Sequence, residues 1–205
     1  YDSFNNGQAA SAAIISVAEG GSGADWFPAF AAADPTATLG TVVPNPAGPL
    51  TPGLTGSAIF TVDPSINPFF TFASMVVPSN DYFIGNDSPT QYQLFDAMGD
   101  LAITSITQHG REIWDAGSEA TDAANAAFLA IGNNDLRTPQ NGVVSFDFAN
   151  LATFNGLTTA VGYAFDSQLT ADTEVYRISF AVVPEPATLG LFAFGGLAAA
   201  AITRR

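Results

Sequence analysis

Runs of β-branched and aromatic residues punctuated by Pro, Gly and Asn dominate the chain. Ile59 to Val62 and Phe69 to Val77 are two such runs, separated by Asp63-Pro64-Ser65-Ile66-Asn67-Pro68, a strand connection by composition. In the second run Phe70, Phe72 and Val76 share one face, while Thr71, Ala73, Met75 and Val77 share the other. Period-two alternation returns at Val144, Phe146 and Phe148 and again at Tyr176, Ile178 and Phe180. Leu101 to Thr107 is a further predicted strand, and the Ala-rich segment Glu119 to Ile131 is predicted as a short helix. Pro44 to Gly56 is dense in Pro and Gly and reads as a long surface loop. Many strands with turn-rich connections, no fixed-period repeat and no second composition predict a single β-sandwich domain.

Composition narrows the function classes. In 205 residues there are 19 acidic and 5 basic side chains, for a formal net charge of -14. Nucleic acid is excluded as a partner, because neutralising phosphates requires clustered Lys and Arg. A carboxylate excess suits solubility or divalent cations instead. With no Cys, the chain has no disulfide, thiolate metal site or thiol chemistry. Seventeen Phe supply much of the volume of a core. The chain opens on Tyr1 rather than Met, so any signal peptide would lie upstream of it.

The end of the chain has its own grammar. Pro184-Glu185-Pro186 breaks regular structure, Ala187 to Thr203 carries no charge, and Arg204-Arg205 follows. The uncharged run has the length of a short transmembrane helix, and its Gly195-Gly196 and Ala198 to Ala201 permit close helix packing. Basic residues after a span stay cytoplasmic, so the acidic bulk is expected on the other side of the membrane. This three-part order resembles the PEP-CTERM sorting signal of Gram-negative bacteria. The resemblance implies export across the inner membrane and recognition by an exosortase. The expected location is the inner membrane with the domain in the periplasm, or the cell surface or medium after processing. The predicted organisation is an extension over 1–12, a domain over 13–181, and a tail over 182–205 with a transmembrane helix at 187–203.

Two loop segments carry the candidate chemistry. Asp81 follows the Phe69–Val77 run, with Pro78-Ser79-Asn80 turning the chain before it. Asp115 and Glu119 flank Ala116-Gly117-Ser118, where Gly117 lets the backbone bend and bring both carboxylates inward. Three converging carboxylates repel one another unless a cation sits among them, and calcium takes six to eight oxygen ligands. No EF-hand series is present. The alternative is an ordinary solvated turn. A glycosidase acid/base pair at Asp115 and Glu119 would require a sugar cleft and a set separation, neither of which sequence shows. His109, the single His, has no partner spacing for a triad or zinc site and reads as a surface turn. Asp25-Trp26-Phe27-Pro28 is an aromatic cluster suited to core packing or, less simply, to a ligand platform.

The segments Ser74-Met75-Val76-Val77-Pro78-Ser79-Asn80-Asp81-Tyr82 and Trp114-Asp115-Ala116-Gly117-Ser118-Glu119 resemble the spondin N-terminal domain of F-spondin and mindin. That resemblance implies a C2-like antiparallel β-sandwich with calcium at its loop end, held by Asp81, Asp115 and Glu119. Ser118 stands where the family has Thr, and Glu119 where animal members have Asp. Read together, these features predict an exported, membrane-tethered, calcium-binding adhesion or surface-interaction module without enzymatic activity. Its partner would be a protein or glycan surface. The alternative is an architectural subunit docked on a membrane protein complex through its C-terminal helix.

Overall fold

In the computed structural model, residues 1–45 and 47–183 are described. The chain begins with two helices, α1 (Ala12–Gly20) and α2 (Trp26–Ala33). Eight short strands follow: β1 (Phe69–Phe70), β2 (Ala73–Met75), β3 (Tyr82–Gly85), β4 (Tyr92–Gln93), β5 (Ser105–His109), β6 (Trp114–Asp115), β7 (Ser145–Phe146) and β8 (Glu174–Ser179). All pairings are antiparallel. The central sheet has the order β2-β3-β6-β7, and β1-β4 and β5-β8 form separate two-stranded ribbons.

Alternation along the central sheet divides its faces. Phe83, Trp114 and Val144 join Ala13, Ile14, Val17, Ala18 and Trp26 of the helices in one buried cluster. Tyr82, Ile84 and Ile113 point the other way, into a cluster with Ile106, Leu129, Leu151 and Phe154. Val175, Tyr176 and Ile178 of β8 pack against that second cluster. The sheet therefore lies between a helical layer and a β-rich layer. Antiparallel, mainly β architecture is as the patterning predicts; the described strands do not establish a C2 topology.

Helix α1 is set by its ends and one apolar face. Ser11 caps it, accepting from the Ile14 N–H at 3.3 Å, and Gly21 closes it at φ 58° with its N–H on Val17. The segment expected as an extension belongs to the core. Phe4 meets Phe83 and Trp114 edge-on, with ring centroids 4.9 and 5.2 Å away, and Ser3 accepts a 2.7 Å bond from Trp26 Nε1. Trp26 is thus a packed anchor rather than a ligand platform.

Several predicted elements move or dissolve. The Phe69–Val77 run breaks into β1 and β2, which pair with different partners, and Phe72 N–H between them donates to Asn86 Oδ1 at 3.0 Å. Ile59 to Val62 forms no strand, the strand predicted at Leu101–Thr107 lies at Ser105–His109, and only Ser145–Phe146 of the Val144–Phe148 alternation is paired. The predicted helix over Glu119 to Ile131 is absent because its amides bond elsewhere. Ala120 N–H goes to Thr138, Ala127 N–H to Ser79, Ala130 N–H to Thr158, and Asp122 N–H to the Asn80 side chain. Tertiary partners outcompete the i−4 carbonyls that Ala propensity favours.

Among the described residues no helix is long and apolar enough to cross a membrane. The span expected at 187–203 lies outside the described residues.

Candidate functional site

The antiparallel register of β3 and β6 sets Tyr82 opposite Asp115 and Phe83 opposite Trp114. One step beyond, Ala116 N–H donates to the Asp81 carbonyl at 3.2 Å, so Asp81 sits against the start of the Ala116–Glu119 turn. Its carboxylate clasps that turn. Asp81 Oδ2 accepts from Ser118 N–H at 2.8 Å, Glu119 N–H at 2.9 Å and Ser118 Oγ at 3.2 Å. Asp115 Oδ1 accepts from Gly117 N–H at 2.6 Å.

Gly117 is required on two counts. Its φ is +68°, a region unfavourable to side chains, and a Cβ there would lie 2.6 Å from both the N and O of Val143. The close approach is productive, since Gly142 N–H donates to the Gly117 carbonyl at 2.7 Å.

Structure brings Asp81, Asp115 and Glu119 to one loop end, and all three are buried. Their roles differ. Glu119 Oε1 accepts from Asn80 Nδ2 at 3.0 Å, whereas Oε2 has no hydrogen bond and lies 3.5 Å from Arg137 Nε. Arg137 Nε is itself nearer to Glu19 Oε2, at 2.7 Å. The second oxygen of Asp81, Oδ1, is buried without a partner. Thus Asp81 Oδ1 has no partner, and Glu119 Oε2 has only the longer ion pair with Arg137. Among the described residues, however, no group of three or more His, Cys, Asp or Glu side chains forms a metal cage.

The local electrostatics follow from this crowding. Burial pushes the Asp115 carboxyl up to about 6, and the neighbouring Asp81 and Asp147 charges push the same way. Asp81 and Glu119 are also raised, each chiefly by burial, against the lowering effect of their hydrogen bonds. Tyr82 OH donates to Asp147 Oδ2 at 3.3 Å, linking β3 to the segment after β7. Glu19, Asn80, Arg137 and Asp147 are site neighbours that sequence reading missed. Glu19 and Arg137 are far from the motif along the chain, and no spacing signals their approach; Asn80 adjoins Asp81 and was read only as a turn residue.

Trp114 is a structural anchor beside the turn, with Nε1 donating to the Gly85 carbonyl at 3.1 Å. His109 ends β5, where its backbone N–H donates to Glu112 Oε2 at 2.7 Å and its Nδ1 lies 3.0 Å from the same oxygen. It is remote in role from the carboxylate turn.

This is the loop end of a mainly β domain, joined to a tail of separate character. Residues 182–205 match the family described as PEP-CTERM protein-sorting motif. The motif marks an exported protein, sorted by exosortase to the cell surface or beyond. No curated protein and no solved structure matches the chain, and the spondin likeness has no counterpart among these findings.

Proposed function

We propose that the chain is an exported surface-interaction module of adhesive, non-enzymatic type, whose loop end is locked by calcium. The observation that carries the cation reading is the buried, unpartnered Asp81 Oδ1, together with Glu119 Oε2, which has no hydrogen bond and only a shared, longer ion pair with Arg137, beside the carboxyl of Asp115. Unpaired carboxylate oxygens in low dielectric are costly, and an all-oxygen donor set suits a hard cation. Asp81, Asp115 and Glu119 would hold the ion, with Ser118 and backbone carbonyls of the turn as further oxygen donors. The ion would offset the mutual repulsion of the carboxylates and rigidify the turn. A C2-like sandwich and the spondin kinship accompany this reading as its family context.

The burial of these carboxylates also supports a non-enzymatic role. Glu119 is 1% exposed and bonded to Asn80, so it presents no acid to a glycosidic bond. Neither Asp115 nor Glu119 lines the cleft at Trp114 and Phe146 or the cleft between Asp63 and Gly99.

The alternative role, an architectural subunit of a membrane complex, is favoured by one feature. Thr36 to Val62 carries no charge in a chain of net charge -14, and it exposes Val42, Val43, Leu54, Ile59 and Phe60.

Calcium titration of the demetallated chain tests the leading reading. At a hundredfold excess over its dissociation constant the ion should add about 2.7 kcal/mol of stability. Asp81→Ala and Asp115→Ala should remove most of that gain, and Glu119→Ala somewhat less. No melting shift with calcium in the millimolar range would sink the metal site. For the tail, replacing Pro184, Glu185 and Pro186 with Ala should stop exosortase-dependent delivery, read by fractionation; unchanged delivery would refute the sorting role of those residues.

A further inference from the structure

A second concavity lies at the other end of β3 from Asp81. It has a volume of about 150 Å³ and is walled by Gln91, Gln108, Asp87, Glu112, Trp114 and Phe146. Gln108 is 2% exposed, and its Nε2 donates to Tyr92 OH at 3.0 Å. The opposite end of that amide, Oε1, is buried with no hydrogen-bond partner. Such orphaned groups are uncommon in folded proteins and call for a partner.

The rest of the wall indicates what that partner is. Phe146 stacks on Trp114 with ring centroids 3.7 Å apart and is 52% exposed, so a held aromatic ring stands at the lip. Gln91 Nε2 is tied to the same Tyr92 hydroxyl at 3.0 Å. Glu112 is oriented by its two bonds to His109. No Lys or Arg lines the cleft, while Asp87 and Glu112 do, so anionic ligands are repelled. A hard cation takes six to eight oxygen ligands, and this cleft offers it two carboxylates, Asp87 and Glu112. Amides and carboxylates that exchange hydrogen bonds with hydroxyls, beside an aromatic face for C–H contact, match a neutral polyol ring. A cleft this small admits at most one ring and not a buried chain.

We propose that this cleft binds a single neutral pyranose unit, the exposed end of a glycan, through Gln91, Gln108, Asp87 and Glu112 with Phe146 as the stacking face. The inference deepens the surface-interaction reading and rests on it, but it is independent of calcium. Affinity for one ring should be weak, with Kd on the order of millimolar.

The test is saturation-transfer NMR and titration of the full chain with methyl glucoside, galactoside, mannoside and N-acetylglucosaminide, in chelator and in calcium. Saturable binding of at least one is expected, weakened roughly five- to tenfold by Phe146→Ala and by Gln91→Ala, the latter without a change in melting temperature. Asp87→Asn, at a half-buried wall position, provides a further variant should Phe146→Ala misfold. No saturation by about 50 mM, well above the expected Kd, overturns the proposal. So does binding that the variants leave unchanged, or binding of tetramethylammonium alone. Failure here with the calcium shift intact overturns the cleft only; sugar binding without a calcium shift overturns the metal site only.

Discussion

Asp115→Asn separates the charge of the carboxylate from its hydrogen bond. Asn retains an oxygen that accepts from Gly117 N–H, which bonds Asp115 Oδ1 at 2.6 Å, and it carries no charge beside Asp81 and Asp147. The Asp115 carboxyl is raised from an ordinary 3.8 to about 6. That difference corresponds to about 3 kcal/mol, and to about 2 kcal/mol after allowing for solvent screening. The folded state therefore holds this proton more tightly than the unfolded state. Protonation stabilises the fold below pH 3.8, and that contribution is lost as pH rises to about 6. In chelator at pH 7.5 the Asn variant should be more stable than the parent by about 2 kcal/mol, or roughly 4–8 °C for a domain of this size. The advantage should shrink to near zero as pH approaches 4. With saturating calcium the order should reverse, because the parent gains a ligand charge that Asn lacks. Thermal melts by circular dichroism across pH 4–8, with and without calcium, read all three outcomes. A variant that melts below the parent in chelator at pH 7.5, or a difference that does not change with pH, would refute the electrostatic account of Asp115.

Three further outcomes test the fold around the site. Gly117→Ala places a Cβ 2.6 Å from Val143 backbone atoms at φ +68° and should cost at least about 2 kcal/mol in chemical denaturation; a neutral result would show that the turn is not held as described. Asp81→Ala in chelator removes the acceptor of two backbone amides and should destabilise by about 2–4 kcal/mol, apart from any calcium effect; equal stability would deny Asp81 its clasping role. Ser3→Ala orphans the buried Trp26 Nε1–H and should cost about 1–3 kcal/mol, measured by urea unfolding; no cost would mean that the first residues are not integral to the core.

Local chemistry in the sequence was sufficient for part of this. Pro184-Glu185-Pro186, an uncharged run and two Arg are contiguous, so the sorting tail was legible without a fold. Gly117 between two carboxylates announced a bent turn, since only a residue without Cβ takes its φ of +68° freely. Period-two runs announced strands. Partner choice lay beyond such local signals. Glu119 to Ile131 has helical propensity, yet Ser79, Asn80, Thr138 and Thr158 claim its amides and carbonyls from distant segments. Phe4 became core and Ile59 remained exposed because burial depends on what the rest of the chain sets against a side chain. The same holds at the carboxylate turn. Sequence placed Asp81, Asp115 and Glu119 on loops, but only the register of β3 against β6 put the Asp81 carboxylate on the amides of Ser118 and Glu119. Only packing brought Glu19 and Arg137 beside them, which is why the unpartnered Asp81 Oδ1 and the shared ion pair at Glu119 Oε2 were visible in three dimensions and not in one.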